Sequence, residues 1–184
     1  MRHFINVGSF DPLNLLLQLE RHPELWNQFN NRTTRDVTAH DETSDIWVRY
    51  RPFEQITSLA SYNEPFAEMT WYPAYYALPD LRPVLLNLMT RLGGVALGGV
   101  LLTRIPAGKV VKTHTDKGVW HAEYYNTKVY GIIKANEQCY NMVEDETLVM
   151  RPGECWVFDN TKLHGVVNDG DEERIALIVS MKCE

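Results

Sequence analysis

From residue 95 to the C-terminus the chain breaks into short runs of β-branched and aromatic residues: VALGGVLLTRI, KVVKTH, KVYGIIK, QCYNMV, ETLVM, CWVFD, LHGVVN and RIALIVSM. Gly, Pro, Asn and Asp separate them, and runs of this kind between turn formers read as strands. About eight short strands joined by tight turns restrict the chain to an antiparallel sandwich or barrel. Arg151-Pro152-Gly153 reads as a turn between two of them.

The first half has another texture. In DPLNLLLQLERHPELW, Asp11 is a candidate N-cap, Pro12 suits the first helical position, and Leu13, Leu16 and Leu17 recur at helical spacing. DLRPVLLNLMTRLGG places Leu81, Val84, Leu85, Leu88, Met89 and Leu92 on one face and stops at Gly93-Gly94. Such helices must cover something apolar. The expected fold class is therefore α+β, mainly β: a jelly roll, or cupin-like double-stranded β-helix, with helices packed on one sheet. One domain is expected over 1–184, with helices and supporting strands in 1–94 and the metal-binding core strands in 95–184. PFAEMTWYPAYYALP reads as an ordered connection.

A formal net charge of −6 and the lack of any window rich in Lys and Arg argue against nucleic-acid partners. No run of about 18 apolar residues signals a membrane span, so a cytoplasmic protein is expected. Cys139, Cys155 and Cys183 match neither a disulfide framework nor a CxxC zinc site, and are assigned to packing.

Histidines carry the functional signal only in combination. Four of the six have an acid two residues on (His22 with Glu24, His40 with Glu42, His114 with Asp116, His121 with Glu123), so His-x-Asp/Glu alone decides nothing. His22, before Pro23, and His40, in the polar loop DVTAHDETSD, read as surface residues. His114 and Asp116 follow a strand-like run, where positions i and i+2 share a face. Beyond the stretch HTDKGVWH, 114–121, His164, in LHGVVN, is the only histidine downstream. Two histidines and one carboxylate from two strands form a facial triad suited to non-haem Fe(II). The alternative is a capped turn at His114 and Asp116 with a hydrogen-bonded core histidine at 164. Arg174 favours the triad: among apolar neighbours its permanent charge needs an anionic partner, which a carboxylate supplies bidentately. A zinc hydrolase is disfavoured, since HExxH is absent and 48 residues separate Asp116 from His164.

His114-x-Asp116, His164 and Arg174 together resemble the signature of Fe(II)/2-oxoglutarate oxygenases. Residues 104–179 are similar to the aspartyl/asparaginyl β-hydroxylase family, above all in PGE-x-W-x-FDN-xxx-H-x-V-x-N, closed by an arginine ten residues after the histidine. The resemblance implies that His114, Asp116 and His164 ligate Fe(II), that Arg174 holds the far carboxylate of 2-oxoglutarate, and that O2 is the second co-substrate. It implies hydroxylation of an unactivated C–H of an amino acid or an Asp/Asn-type peptide side chain, with release of succinate and CO2. Two positions depart from the family. Asp116 is present where animal members lack the carboxylate ligand, as in bacterial members that act on free amino acids. Lys128 and Tyr130 occupy the places of a frequent Arg-x-His pair near the co-substrate, and are expected to help Arg174 there.

Further candidates have two readings each. Asn168 either orients a ligand or co-substrate or bonds the strand-end backbone. Trp120 and His121, with Tyr124 and Tyr125, either rim a substrate pocket or fold onto the sheet. Arg49 and Arg51, on one strand face of DIWVRYRP, either receive a substrate carboxylate or are solvated. The partner is a small-molecule or peptide substrate. The competing function is a cupin-like metal-binding protein or isomerase without 2-oxoglutarate, in which Arg174 would point outward.

Overall fold

A computed structural model describes residues 2–34, 38–64, 68–117, 120 and 123–184. Its elements are β1 (Phe4–Ser9), α1 (Leu13–Arg21), β2 (Ser44–Tyr50), α2 (Leu59–Asn63), β3 (Thr70–Trp71), α3 (Pro73–Ala77), α4 (Leu81–Leu92), β4 (Gly94–Ile105), β5 (Lys109–His114), β6 (Thr127–Lys134), β7 (Cys139–Val143), β8 (Glu146–Leu148), β9 (Glu154–Phe158), β10 (His164–Asn168) and β11 (Arg174–Cys183). The strands form two sheets, β1-β9-β6-β11-β4-β2-β3 and β5-β10-β7-β8, with antiparallel neighbours throughout. This is a double-stranded β-helix, and strands β4 to β11 fall on the eight runs visible in the sequence. No helix among the described residues is long and apolar enough to cross a membrane.

Alternation along the larger sheet divides the core in two. Val129 and Ile133 of β6, and Ile175, Leu177 and Val179 of β11, pack under Leu15 and Leu19 of α1 and Leu81, Leu85 and Leu88 of α4. The intervening residues Tyr130, Ile132, Ala176 and Ile178 face the space between the sheets with Trp156 and Phe158 of β9. Lys128 and Arg174 have the same parity as that second set, so the strand pattern aims two cations inward.

The N-terminal half differs in detail from expectation. In α1 the buried residues are Leu15 and Leu19, while Leu13 and Leu17 stay exposed. Leucines at 13, 15, 16, 17 and 19 fit more than one stripe, and packing against the sheet selects among them. The N-cap of α1 is Pro12 rather than Asp11, which lies one residue earlier and accepts the Leu13 amide at 3.0 Å. Helix α4 buries the expected face and ends at Gly93, whose φ of 65° is the left-handed cap that glycine tolerates best. The connection read into residues 65–79 holds β3 and α3, elements too short to leave a periodic signal.

Candidate metal centre and its cavity

His164 opens β10 directly opposite His114, which ends β5. Between His164↔His114 and Val166↔Val111 the register slips, so two residues of β5 oppose one of β10. That bulge resets the alternation and turns His114 to the same side as the buried Val111. Gly165 sits at this point, and a Cβ there would lie 2.9 Å from the Val111 carbonyl oxygen.

The two imidazoles are held alike. Nδ1 of His114 lies 2.8 Å from the Lys112 carbonyl and Nδ1 of His164 lies 2.9 Å from the Lys162 carbonyl. A carbonyl only accepts, so each Nδ1 carries the proton and each Nε2 keeps a free lone pair. These Nε2 atoms lie 3.8 and 3.7 Å from Oδ1 of Asp116, too far to be hydrogen-bonded to it. The three ligand atoms lie within 4.8 Å of one another, and Nε2 of His164 is buried with no hydrogen-bond partner among the described residues. Three inward lone-pair donors around one gap fit a divalent cation.

Asp116 is oriented through its other oxygen. Oδ2 accepts from the Lys128 ammonium at 2.5 Å and from the Asn160 amide at 2.7 Å, which leaves Oδ1 toward the histidines. Burial opposes ionisation of this carboxyl, but Lys128, His164 and the two hydrogen bonds outweigh it and hold its pKa below the usual carboxylate value. Burial, followed by the Lys128 charge, pulls His164 down to about 4. Burial likewise lowers His114. The centre thus consists of two neutral imidazoles and one carboxylate, the protonation states that bind metal.

Arg174 is 2% exposed, and its Nη2 donates to Oδ1 of Asn141 at 3.1 Å. No carboxylate lies within ion-pair distance of its guanidinium among the described residues. The Asn141 amide nitrogen is also buried without a partner. Asn141 stands across from Val166, two positions along β10 from His164, or about 7 Å at the rise of a strand. Tyr130 fills the interval: its ring stacks on Phe158 at 4.5 Å and lies 5.4 Å from the guanidinium carbon, and Phe158 meets His164 edge-on at 5.2 Å. A bare guanidinium and a spare amide donor within reach of the triad fit one end of a short dicarboxylate.

A cavity of about 690 Å³ opens beside the triad, with His114, Asp116, Lys128, Trp120, Arg32 and His40 on its wall. Trp120 is buried against Gly99, where an added Cβ would come within 2.5 Å of its Cη2, and it stacks on Tyr50 at 5.7 Å. His40 is not the surface residue expected from its polar loop. Its ring meets His114 edge-on at 4.8 Å, and its Nδ1 is buried with no partner among the described residues.

Several sequence candidates stand elsewhere. Lys128 puts its ammonium on Asp116 rather than on a co-substrate position. Asn168 is a backbone clasp: its amide nitrogen donates to the carbonyls of Ile105, Pro106 and Glu172, and its oxygen accepts from Asn136. No donor remains for a ligand. A bulge between Trp47 and Arg49 moves Arg49 to the helix side of the sheet, where it bonds the carbonyls of Leu97 and Gly98 and covers Trp71. Arg51 pairs with Glu64 at 2.9 Å. Neither arginine reaches the cavity. His121 lies outside the described residues. Asn160, which ends the FDN segment, is a site residue that histidine spacing does not signal, and Arg32 and His40 carry no local signal, because only the tertiary fold brings them to the cavity.

A sequence profile described as Aspartyl/Asparaginyl beta-hydroxylase matches residues 20–183. No curated protein matches the chain. Among solved structures, the chain resembles a Trichoplax adhaerens prolyl hydroxylase in complex with a hypoxia inducible factor oxygen degradation domain peptide fragment. The TM-score is 0.62 at 12% identity, covering 98% of this chain and 83% of that one. A viral collagen prolyl hydroxylase from Paramecium bursaria Chlorella virus-1, in a 2-oxoglutarate complex, aligns with TM-score 0.55 at 9% identity over 99% and 97%. A Burkholderia pseudomallei oxidoreductase of the 2OG-Fe(II) oxygenase family aligns with TM-score 0.50 at 12% identity over 76% and 67%. At such identities these likenesses establish the shared fold.

Proposed function

The chain belongs to the aspartyl/asparaginyl β-hydroxylase family and is an Fe(II)/2-oxoglutarate-dependent hydroxylase, and on that premise we propose that it hydroxylates an unactivated C–H of an amino acid or of an Asp/Asn-type peptide side chain. His114, Asp116 and His164 would hold the iron, and Arg174, with Asn141 and Tyr130 beside it, the distal carboxylate of 2-oxoglutarate. Iron(II) with 2-oxoglutarate and O2 supplies the oxidising power, with succinate and CO2 as by-products.

The protein's own contribution is positional. The Lys112 and Lys162 carbonyls fix the tautomer in which both Nε2 atoms face the metal. Lys128 and Asn160 hold one oxygen of Asp116 and so present the other as a single ligand atom. Trp156, Phe158, Tyr130 and Ile132 line the space between the sheets and exclude bulk water from it. The cavity then admits a substrate to the face of the triad formed by His114 and Asp116.

The observation that carries this reading is the buried Nε2 of His164, without a partner among the described residues, facing Asp116 and His114 across a gap that neither fills. An orphaned ring nitrogen costs stability unless a ligand uses it. An outward Arg174 would favour a metal-only, cupin-like function, whereas the residue is buried, which supports the 2-oxoglutarate reading. The test is anaerobic Fe(II) binding followed by 2-oxoglutarate, watching the weak visible charge-transfer band of the chelate. The wild type is expected to develop the band, His164→Ala to lose it, and Arg174→Ala to need far more 2-oxoglutarate. A folded, iron-loaded wild type without the band refutes the assignment of these residues.

A further inference from the structure

Beyond the triad, the cavity wall carries a further cation, Arg32, with Thr34, Thr38, Ala39 and His40 also lining the cavity. Arg32 is buried there, and one nitrogen of its guanidinium is fully engaged. Nη1 donates to Oδ1 and Oδ2 of Asp45 at 2.9 and 2.8 Å and to Oγ1 of Thr103 at 3.2 Å, while the Thr103 hydroxyl donates to Asp45 at 2.8 Å. Asp45 is wholly buried and Thr103 nearly so. This network, fixed on β2 and β4, locks the plane of the guanidinium.

The opposite edge is unused. Nε and Nη2 of Arg32 have no acceptor among the described residues, neither atom is sealed in the interior, and the residue lines the cavity. An Nε–Nη2 edge offers two parallel N–H donors, which match the two oxygens of a carboxylate. On the same cavity wall His40, whose ring meets His114, has a buried Nδ1 that also lacks a partner among the described residues. The cavity wall between Arg32 and the triad includes the apolar side chains of Leu101, Ile178 and Trp120. Two unsatisfied polar groups, an apolar middle and a metal-binding end describe a site for a small molecule with an anionic head.

We propose that Arg32 anchors a carboxylate of the substrate, with His40 as an additional polar contact, so that the cavity selects a free carboxylic acid of amino-acid size and presents its carbon chain to the face formed by His114 and Asp116. This rests on the hydroxylase reading and narrows it, because a residue within a peptide chain has no α-carboxylate to offer. An acidic side chain carries the same chemistry, and the experiment separates the two sources.

Calorimetric titration of the anaerobic Fe(II)·2-oxoglutarate protein with each of the twenty free L-amino acids supplies the first readout. Every amino acid that binds is repeated as its α-amide, and aspartate and glutamate also as their side-chain amides. Two variants accompany the wild type. Asp45→Asn keeps the guanidinium, and Arg32→Gln with Asp45→Asn removes it without stranding a buried carboxylate. At least one amino acid is expected to bind, and amidation of the anchored carboxylate should weaken binding by roughly 10-fold or more, as for a lost charge-assisted hydrogen bond. The double variant should show a similar loss with its charge-transfer band intact, and Asp45→Asn, which keeps the guanidinium but loosens its seat, should bind more weakly than wild type and more tightly than the double variant. Loss of the band would implicate the metal centre instead of the anchor. The proposal is overturned if the amide binds as well as the acid, if the double variant binds like wild type, or if none of the twenty binds.

Discussion

Lys128→Met is the most informative perturbation of the metal centre. The Lys128 ammonium lies 2.5 Å from Oδ2 of Asp116, and the two side chains are 5% and 7% exposed. Methionine keeps most of the volume and removes the charge, leaving a buried carboxylate with one side-chain donor among the described residues, the Asn160 amide. Removing one partner of such a pair costs about 3–5 kcal/mol, because the remaining charge is uncompensated. In a chain of this size each kcal/mol shifts Tm by about 2–4 °C, so metal-free Lys128→Met should melt roughly 6–20 °C below wild type. A divalent cation at the triad would replace the missing positive charge. Saturating Mn(II) should therefore raise the Tm of the variant by more than it raises that of wild type. Differential scanning calorimetry in EDTA and in excess Mn(II) gives all four values. Lys128 also packs over Phe158 and Trp120, at 5.4 and 5.7 Å from their ring centres. If packing were its role, the Tm deficit would be the same with and without metal, and that result, or no deficit at all, refutes the electrostatic argument.

Acidification should destabilise the metal-free protein. His164 has a folded pKa of about 4 against an ordinary value of 6.5, so below pH 6.5 the unfolded chain takes up a proton that the native one refuses. The stability this group contributes is complete above pH 6.5 and disappears between pH 6.5 and 4, with about 2 kcal/mol lost by pH 5. His40 and His114 act in the same direction; a Tm in EDTA that stays level from pH 7.5 to 5 contradicts this. Asn168→Ala should cost roughly 1–3 kcal/mol by stranding the Ile105, Pro106 and Glu172 carbonyls. Its charge-transfer titration with 2-oxoglutarate should match wild type, and weaker 2-oxoglutarate binding without a Tm change would restore Asn168 to the co-substrate site. Gly99→Val should push Trp120 off the sheet, visible as altered tryptophan fluorescence and weakened amino-acid binding with the chelate band retained. Unchanged fluorescence would show that the ring has room to accommodate the side chain.

Strand content in the second half was legible because the runs there are bounded by turn formers and most of them bury at least one face. His114 and Asp116 could be linked by their spacing, and His164 and Arg174 joined them because the full set resembles an oxygenase signature. The first half was less legible. Five leucines in seven positions of α1 fit several faces, and the bulge at Arg49 reverses the face that simple alternation assigns. Asn168 and Asn160 show the limit from another side. Both are asparagines close to His164 in sequence, yet one clasps three carbonyls and the other holds Asp116.

By itself the sequence determined the β-rich second half and singled out His114, Asp116, His164 and Arg174, because turn chemistry and strand composition act over a few residues. Tertiary structure decided which oxygen of Asp116 remains for a metal, that Lys128 serves Asp116, and that Arg32 and His40 reach the cavity from a loop more than 70 residues before the triad's first histidine. Those outcomes depend on hydrogen bonds and ion pairs between segments distant in the chain. Their partners are selected by packing geometry, which no local pattern encodes.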